Sequence, residues 1–356
     1  MPADPDLAAL TSTLAAGAAD ADRTGAWPAA SIRAAADAGC WRWVIPTAFG
    51  GLGLPPRAIL DRYEAVAAGC MTTALILTQR DAATDLIAGC DNAALKQELL
   101  PALAAGRSFC TVGIAQLTTS KRGPGPALTA RAQRDGFVLD GRMPWVTGAA
   151  HADVVVTGAV LPSGHQLLAA VDTNASGIEV GPPLELMGLN ASHTAAVECR
   201  GVLVPAERVI RGPAEVVLAG RAPTRPLVVS VTGIGHARAL LELAHNRASR
   251  APVGFTEVVQ SANDAYQRVH TQIIAAADRL LDPAPDTPSD EIRIAVNDLL
   301  VRLSAVLLTL SKGSGYLRSD PAQRLVREAI FFLVWSAPEA IQLGTLQSLL
   351  TAAVRP

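Results

Sequence analysis

GFVLDGRMPWVTGAAHAD, residues 136–153, is the stretch from which the fold is read. Phe137-Val138-Leu139 is a short β-prone run. Asp140-Gly141 then reads as a tight turn, since glycine accepts the positive φ such turns need. A second run carries Trp145, Val146 and Thr147. Gly148-Ala149-Ala150 breaks it, and Val154-Val155-Val156 reads as a third strand. A side-chain period of two puts Trp145 and Thr147 on one sheet face. An indole beside a hydroxyl on a rigid strand suits a planar heteroaromatic ligand: the ring gives stacking area, the hydroxyl one directional hydrogen bond. The same pair suits an ordinary sheet core with a surface threonine, and the pattern by itself favours that plainer reading.

Outward from this stretch the period is two from Phe109 to about Val204. Val112–Ile114, Leu167–Val171 and Val197–Val204 join the runs above, separated by Gly, Pro, Asn and Asp. This predicts a β domain of about a hundred residues, antiparallel in the main. Before it the chain reads as helical. Pro28 suits a first helical position, and IPTAFGGLGLPP, 45–56, is a Gly/Pro-rich loop. Asp91 suits a helix cap ahead of Leu95, Leu99 and Leu103, with Gly106 as the stop. After it the chain is helical again. Thr287-Pro288-Ser289-Asp290 has the shape of a capping box. Ile292, Val296, Leu299, Leu303, Val306 and Leu310 then form the seam of a packed helix. The expected architecture is α+β: an N-terminal helical domain (1–112), a central antiparallel β domain (113–218) and a C-terminal four-helix bundle (219–356).

The chain has 356 residues, half of them apolar, with a formal net charge of −2. That balance gives no electrostatic case for nucleic acid or an anionic membrane surface. No basic start followed by an apolar run opens the sequence, so no secretory signal is expected. No membrane span is expected either, because charges interrupt every long apolar stretch. Cys40, Cys70, Cys90, Cys110 and Cys199 are odd in number and widely spaced. They read as buried apolar residues of a protein in a reducing cytoplasm rather than as a disulfide or zinc framework.

The order of helices, β domain and helical bundle, together with several local motifs, resembles the acyl-CoA dehydrogenase superfamily of flavoproteins. PTAFGGLGL resembles its early Gly-Gly-x-Gly loop. Gln116-Leu117-Thr118 stands where the family has Leu-Thr before Glu-Pro, and Pro144-Trp145-Val146-Thr147 where it has Trp-Ile-Thr. Val202 to Glu207 is similar to its Val-x-Val-Pro-x-Glu. Thr224-Arg225-Pro226 resembles the opening of its C-terminal bundle, Arg250…Gly254 its Arg-x-x-x-Gly, and Gly315-Tyr316…Pro321…Arg327-Glu328 its late Gly-Tyr…Pro…Arg-Asp run. The resemblance implies FAD as cofactor. Trp145, Val146 and Thr147 would border the flavin ring, and Leu117, Thr118 and Ser120 would lie at its pyrimidine end. Fixed donors there ease hydride acceptance. Arg250 would reach the pyrophosphate of a neighbouring subunit's FAD, with Gly313 a further cofactor contact. Arg225 is an expected substrate contact. The family implies a homodimer or homotetramer, an acyl thioester of CoA or a carrier protein as substrate, and an electron acceptor or flavin reductase as partner.

Three departures stand out. Family members remove an α proton with a positioned glutamate. Its usual place is Ser336 here and its alternative place Thr224, so neither holds a carboxylate. Glu339, three residues on, is a displaced candidate base or an exposed helix-start residue. The family's Glu-Pro-x-x-Gly-Ser-Asp loop is replaced by 119–125, where Lys121 and Arg122 suit a phosphate grip or a solvated pair. The family's Gly-x-Arg-x-Ser-x-Thr loses its arginine at Asn190, beside His193, which reads as a strand-end residue. The leading expectation is α,β-dehydrogenation of an acyl thioester with a non-standard base. The alternatives are a flavin monooxygenase of the same fold and a catalytically silent subunit.

Overall fold

A helix rich in small residues starts the chain. α1 (Leu7–Thr24) is opened by the Asp6 carboxylate, which accepts from the amide of Ala9, and closed by Gly25 in the left-handed conformation. The computed structural model describes residues 6–118, 125–218, 222–282 and 288–352. Four more helices complete the N-terminal part: α2 (Ala29–Asp37), α3 (Pro56–Gly69), α4 (Met71–Ala88) and α5 (Ala93–Ala104). Pro28 is the cap before α2 rather than its first helical residue. Asn92, not Asp91, caps α5: its side chain accepts from Leu95 N and also donates to the Glu207 carbonyl, so it has a tertiary partner besides the helix end. In the 45–56 loop a Cβ on Gly51 would sit 1.8 Å from the Ile45 carbonyl oxygen, so only glycine lets the loop fold back on itself.

Among the described residues eight strands form one sheet: β1 (Cys110–Gly113), β2 (Leu128–Gln133), β3 (Gly136–Val146), β4 (Val154–Val160), β5 (Gln166–Asp172), β6 (Ile178–Pro183), β7 (Ala195–Pro205) and β8 (Val209–Ala214). The order is β6-β7-β3-β2-β4-β5-β8, with β1 added beside β4. Pairing is mostly antiparallel; β1 runs parallel to β4. Asp140-Gly141 is not the turn expected of it. β3 runs straight through it, with a register shift against β7 between Leu139 and Gly141. Gly141 has φ 126° because it absorbs that bulge. The hairpin turn lies earlier, at Arg134-Asp135 between β2 and β3.

The chain then returns to helix: α6 (Val228–Ala248), α7 (Val253–Ala277), α8 (Ser289–Ser311), α9 (Pro321–Ile330) and α10 (Glu339–Ala352). Thr287 lies outside the described residues; Pro288 is the cap of α8 and supplies no side-chain bond, so the expected capping box is not seen there. Of the expected seam, Ile292, Val296, Leu299 and Leu303 are buried and joined by Leu300 and Leu307, while Val306 and Leu310 are only partly buried. α8 is long and apolar enough to cross a bilayer, with a window of mean hydropathy 1.6, and that seam packs into the bundle core. One core joins α1 and α3 to the bundle, another joins α4 and α5 to one face of the sheet, and a third fills the other face. All five cysteines are free and buried.

Candidate active site

Two features of the sheet-to-helix junction bear on function. The first is a ledge at the end of β3. Trp145 is 48 % exposed, whereas Thr147, just past the strand end, is buried. A second register shift between Met143 and Val146 breaks the alternation, so the two side chains do not simply share a face. Thr147 is held from both ends. Its carbonyl accepts from the Thr111 hydroxyl on β1 (2.7 Å), and its own hydroxyl lies 3.1 Å from that of Thr194, which reaches Ser192 Oγ at 2.8 Å. Val146 is buried in the sheet core. Beside the ledge, His193 stands at φ 46° with Nδ1 3.0 Å from His151 Nε2 and Nε2 3.1 Å from the Gly25 carbonyl. Trp27 stacks on His151 at 3.9 Å. His193 is thus a clamp between the sheet and the end of α1. Burial and the neighbouring His193 hold the His151 imidazole below its usual value. Asn190, where an arginine was expected, ties Leu186 through both its backbone groups, at 2.8 and 2.9 Å.

Leu117 and Thr118 follow β1 in a short 3-10 turn. The Leu117 side chain is core: a Cβ on Gly158 would meet it at 2.2 Å. Its amide is bonded to Ile114 O, and that of Thr118 to Ala115 O. The exposed Thr118 hydroxyl reaches Ala115 O only at 3.4 Å, which leaves it the available donor of this turn. Ser120, Lys121 and Arg122 lie outside the described residues.

The second feature is a cavity of about 240 Å³ walled by α4, the sheet and the segment entering α6. Ile114, Leu168 and Ile210 give it an apolar floor. Thr78, Ala82 and Asp85 come from α4, Tyr63 from α3, and Thr224 and Arg225 from the entry to α6. Asp85 is the one carboxylate among the described residues that line it. Burial, and then repulsion by Asp81, push the Asp85 carboxyl well above its usual value, against the pull of Arg225. Burial lowers Arg225 in turn, against the pull of Asp85. β1 joins the two features: Thr111 holds Thr147, and Ile114, three residues on, lines the cavity. Arg225, expected above as a substrate contact, lines this cavity. Sequence reasoning missed Asp85. Its signal was Arg80, Asp81 and Asp85, three charged residues in an otherwise uncharged helix, which a buried helix must explain.

The family model described as "Acyl-CoA dehydrogenase, N-terminal domain" matches residues 8–107. A probable acyl-CoA dehydrogenase, YngJ, of Bacillus subtilis (strain 168) is 23 % identical over 342 residues, covering 90 % of this chain and 89 % of its own. Over residues 8–107, and at low identity along nine-tenths of its length, the chain is similar to acyl-CoA dehydrogenases. Among solved structures, the butyryl-CoA dehydrogenase of Megasphaera elsdenii superposes with TM-score 0.85 at 19 % identity, covering 97 % of each chain. A dibenzothiophene monooxygenase of Paenibacillus sp. A11-2 superposes with TM-score 0.81 at 18 % identity, covering 98 % of this chain and 97 % of that one. At these identities the superpositions establish the fold alone.

Within this acyl-CoA dehydrogenase fold the two expected base positions separate. Thr224 is buried and lines the cavity, its carbonyl accepting from Leu227 N and Val228 N as α6 begins. Ser336 is exposed in the left-handed region at φ 49°, between Trp335 and α10. Glu339 is exposed on the first turn of α10. Arg250 and Gly313 are exposed on the bundle, after α6 and after α8. Of the late Arg-Glu pair, Glu328 is buried and bonded to Arg324 at 2.9 Å. Arg327 ties α9 to Asp22 of α1 and to the Met187 carbonyl.

Proposed function

We propose that this protein is an FAD-dependent oxidoreductase that acts on an acyl thioester. The observation that carries the reading is the cavity between α4, the sheet and the entry to α6, whose Ile114 follows the strand that holds Thr147. The ledge fits a flavin ring. A half-exposed indole offers an apolar face. The Thr147 hydroxyl uses one hydrogen-bonding position on Thr194 and has another to give. The Thr118 hydroxyl is available for the pyrimidine end. A bound flavin supplies a two-electron acceptor for hydrogen leaving a substrate carbon. This chain's residues would orient that ring, exclude water from the apolar floor and place the acyl group beside it. Arg250 would serve the cofactor of a second subunit in a homodimer or homotetramer.

The purified protein is expected to be yellow and to bleach when an acyl-CoA is added without oxygen. A colourless protein that takes up no FAD overturns the reading. A second reading, oxygenation by reduced flavin, is favoured by one observation: Thr224 and Ser336 leave both base positions without a carboxylate. Oxygen uptake that requires an added flavin reductase, with no bleaching by acyl-CoA, would select it.

A further inference from the structure

Asp85 and Arg225 face the same cavity from different elements, one from the last turn of α4 and one from the segment before α6. Each perturbs the other's charge, yet no N–O contact as short as 4.0 Å joins them. Neither side chain has a hydrogen-bond or ion-pair partner among the described residues. Arg211 also lines the wall and donates to the Val217 carbonyl at 3.4 Å, and Thr224 lines it too. The Tyr63 hydroxyl donates to Asp81 at 2.8 Å, and the Thr78 hydroxyl to Leu75 O at 3.0 Å. A guanidinium only donates and a carboxylate only accepts. A gap between these two partly buried side chains is best filled by a neutral group that does both. An alkyl end would leave both charges desolvated and unbonded. A carboxylate end would meet Asp85 as a like charge. The volume, about 240 Å³, is below the roughly 300–1,000 Å³ common for drug-sized ligands, so the group is short.

We propose that the cavity receives a short acyl chain ending in a hydroxyl or carboxamide, which donates to Asp85 and accepts from Arg225. The proposal rests on the acyl-thioester reading and names the substrate class within it.

Calorimetric titration of the flavin-loaded protein with three thioesters of equal length tests it: butyryl-CoA, γ-hydroxybutyryl-CoA and succinyl-CoA. The hydroxy thioester is expected to bind about tenfold tighter than the butyryl one, the value of one hydrogen bond to a charged group. Asp85→Leu should cancel that preference while leaving butyryl-CoA bound, and Arg225→Met should weaken it from the opposite wall without altering the helix that carries Asp85. Equal binding of all three overturns the proposal and leaves the acyl-thioester reading standing. Tightest binding of succinyl-CoA also overturns it, in favour of a protonated Asp85 that donates to a carboxylate. Binding of none removes the acyl-thioester reading and this proposal together.

Discussion

One turn of α4 separates two aspartates that the fold treats oppositely. Asp81 is buried and accepts from Arg80 at 2.7 Å and from the Tyr63 hydroxyl at 2.8 Å. Arg80 in turn donates to the carbonyls of Trp41 and Leu103, both at 2.9 Å, and lies over the Trp41 ring. Asp85 lines the cavity with none of this. Both carboxyls are raised chiefly by burial. At Asp81 two hydrogen bonds pull it back; at Asp85 a second aspartate adds to the rise, and the charges of Arg225 and Arg80 oppose it without a hydrogen bond. A charge whose bonds are all made within the protein belongs to its architecture. A charge left open toward a cavity is available to something else.

The largest effect should come from the closed network. Arg80→Ala removes the partner of a buried charge and two carbonyl contacts, and should cost about 3 kcal/mol in denaturant unfolding. The loss stays near the low end for a broken buried pair, because Asp81 can take up a proton instead of remaining charged. A loss as small as that of a surface ion pair would break the comparison.

His236 sharpens it on the same side. It is buried on α6, its Nε2 bonded to the Leu325 carbonyl at 2.8 Å, and burial lowers it from 6.5 to about 4. The unfolded chain therefore binds a proton at a pH where the folded protein does not. The histidine's contribution is complete above pH 6.5 and is lost as pH falls toward about 4. At pH 5 the loss is about 2 kcal/mol. His236→Gln, which keeps a donor for Leu325, should flatten that part of the stability curve. An unchanged acid slope would refute the assignment.

Asp85 should behave in reverse. Asp85→Asn removes a carboxyl whose ionised form burial disfavours, and should raise stability by about 1 kcal/mol at neutral pH. Because the folded carboxyl is raised above its ordinary 3.8, the wild type loses stability as pH rises through the folded value. The advantage of Asp85→Asn should therefore appear with rising pH and vanish near pH 3.8. A destabilised Asp85→Asn would place Asp85 with Asp81 and close the contrast.

How much of this was legible follows the same division. Periodicity located the α8 seam and most central strands, because a buried face repeats along the chain. It missed β2, LTARAQ, in the middle of the sheet, and the two strands that carry Gly-Pro, β6 (IEVGPP) and β8 (VIRGPA). Both stand at the sheet's edges, where a missing amide costs no ladder bond. Asp140-Gly141 misled because a bulge and a tight turn ask the same positive φ of glycine. The Trp145–Thr147 ledge was readable as a motif. The cavity was not: Tyr63, Asp85 and Arg225 come from distant parts of the chain, and nothing in the one-letter string distinguishes a closed carboxylate from an open one.

The smallest stability effect is expected at Thr147, and it separates site from scaffold most finely. Its hydroxyl touches only the Thr194 hydroxyl, which also has Ser192 at 2.8 Å. Thr147→Val deletes the hydroxyl, keeps the shape and keeps the carbonyl that Thr111 holds. Thr194 can turn to Ser192, so the loss should stay under about 1 kcal/mol. If the ledge borders a flavin, the same change should weaken retention of the cofactor and shift its absorption bands. Unfolding data would then resemble the wild type and the flavin spectrum would not. A large loss of stability with an unchanged spectrum would make Thr147 a counterpart of Asp81, a group whose bonds serve the sheet alone.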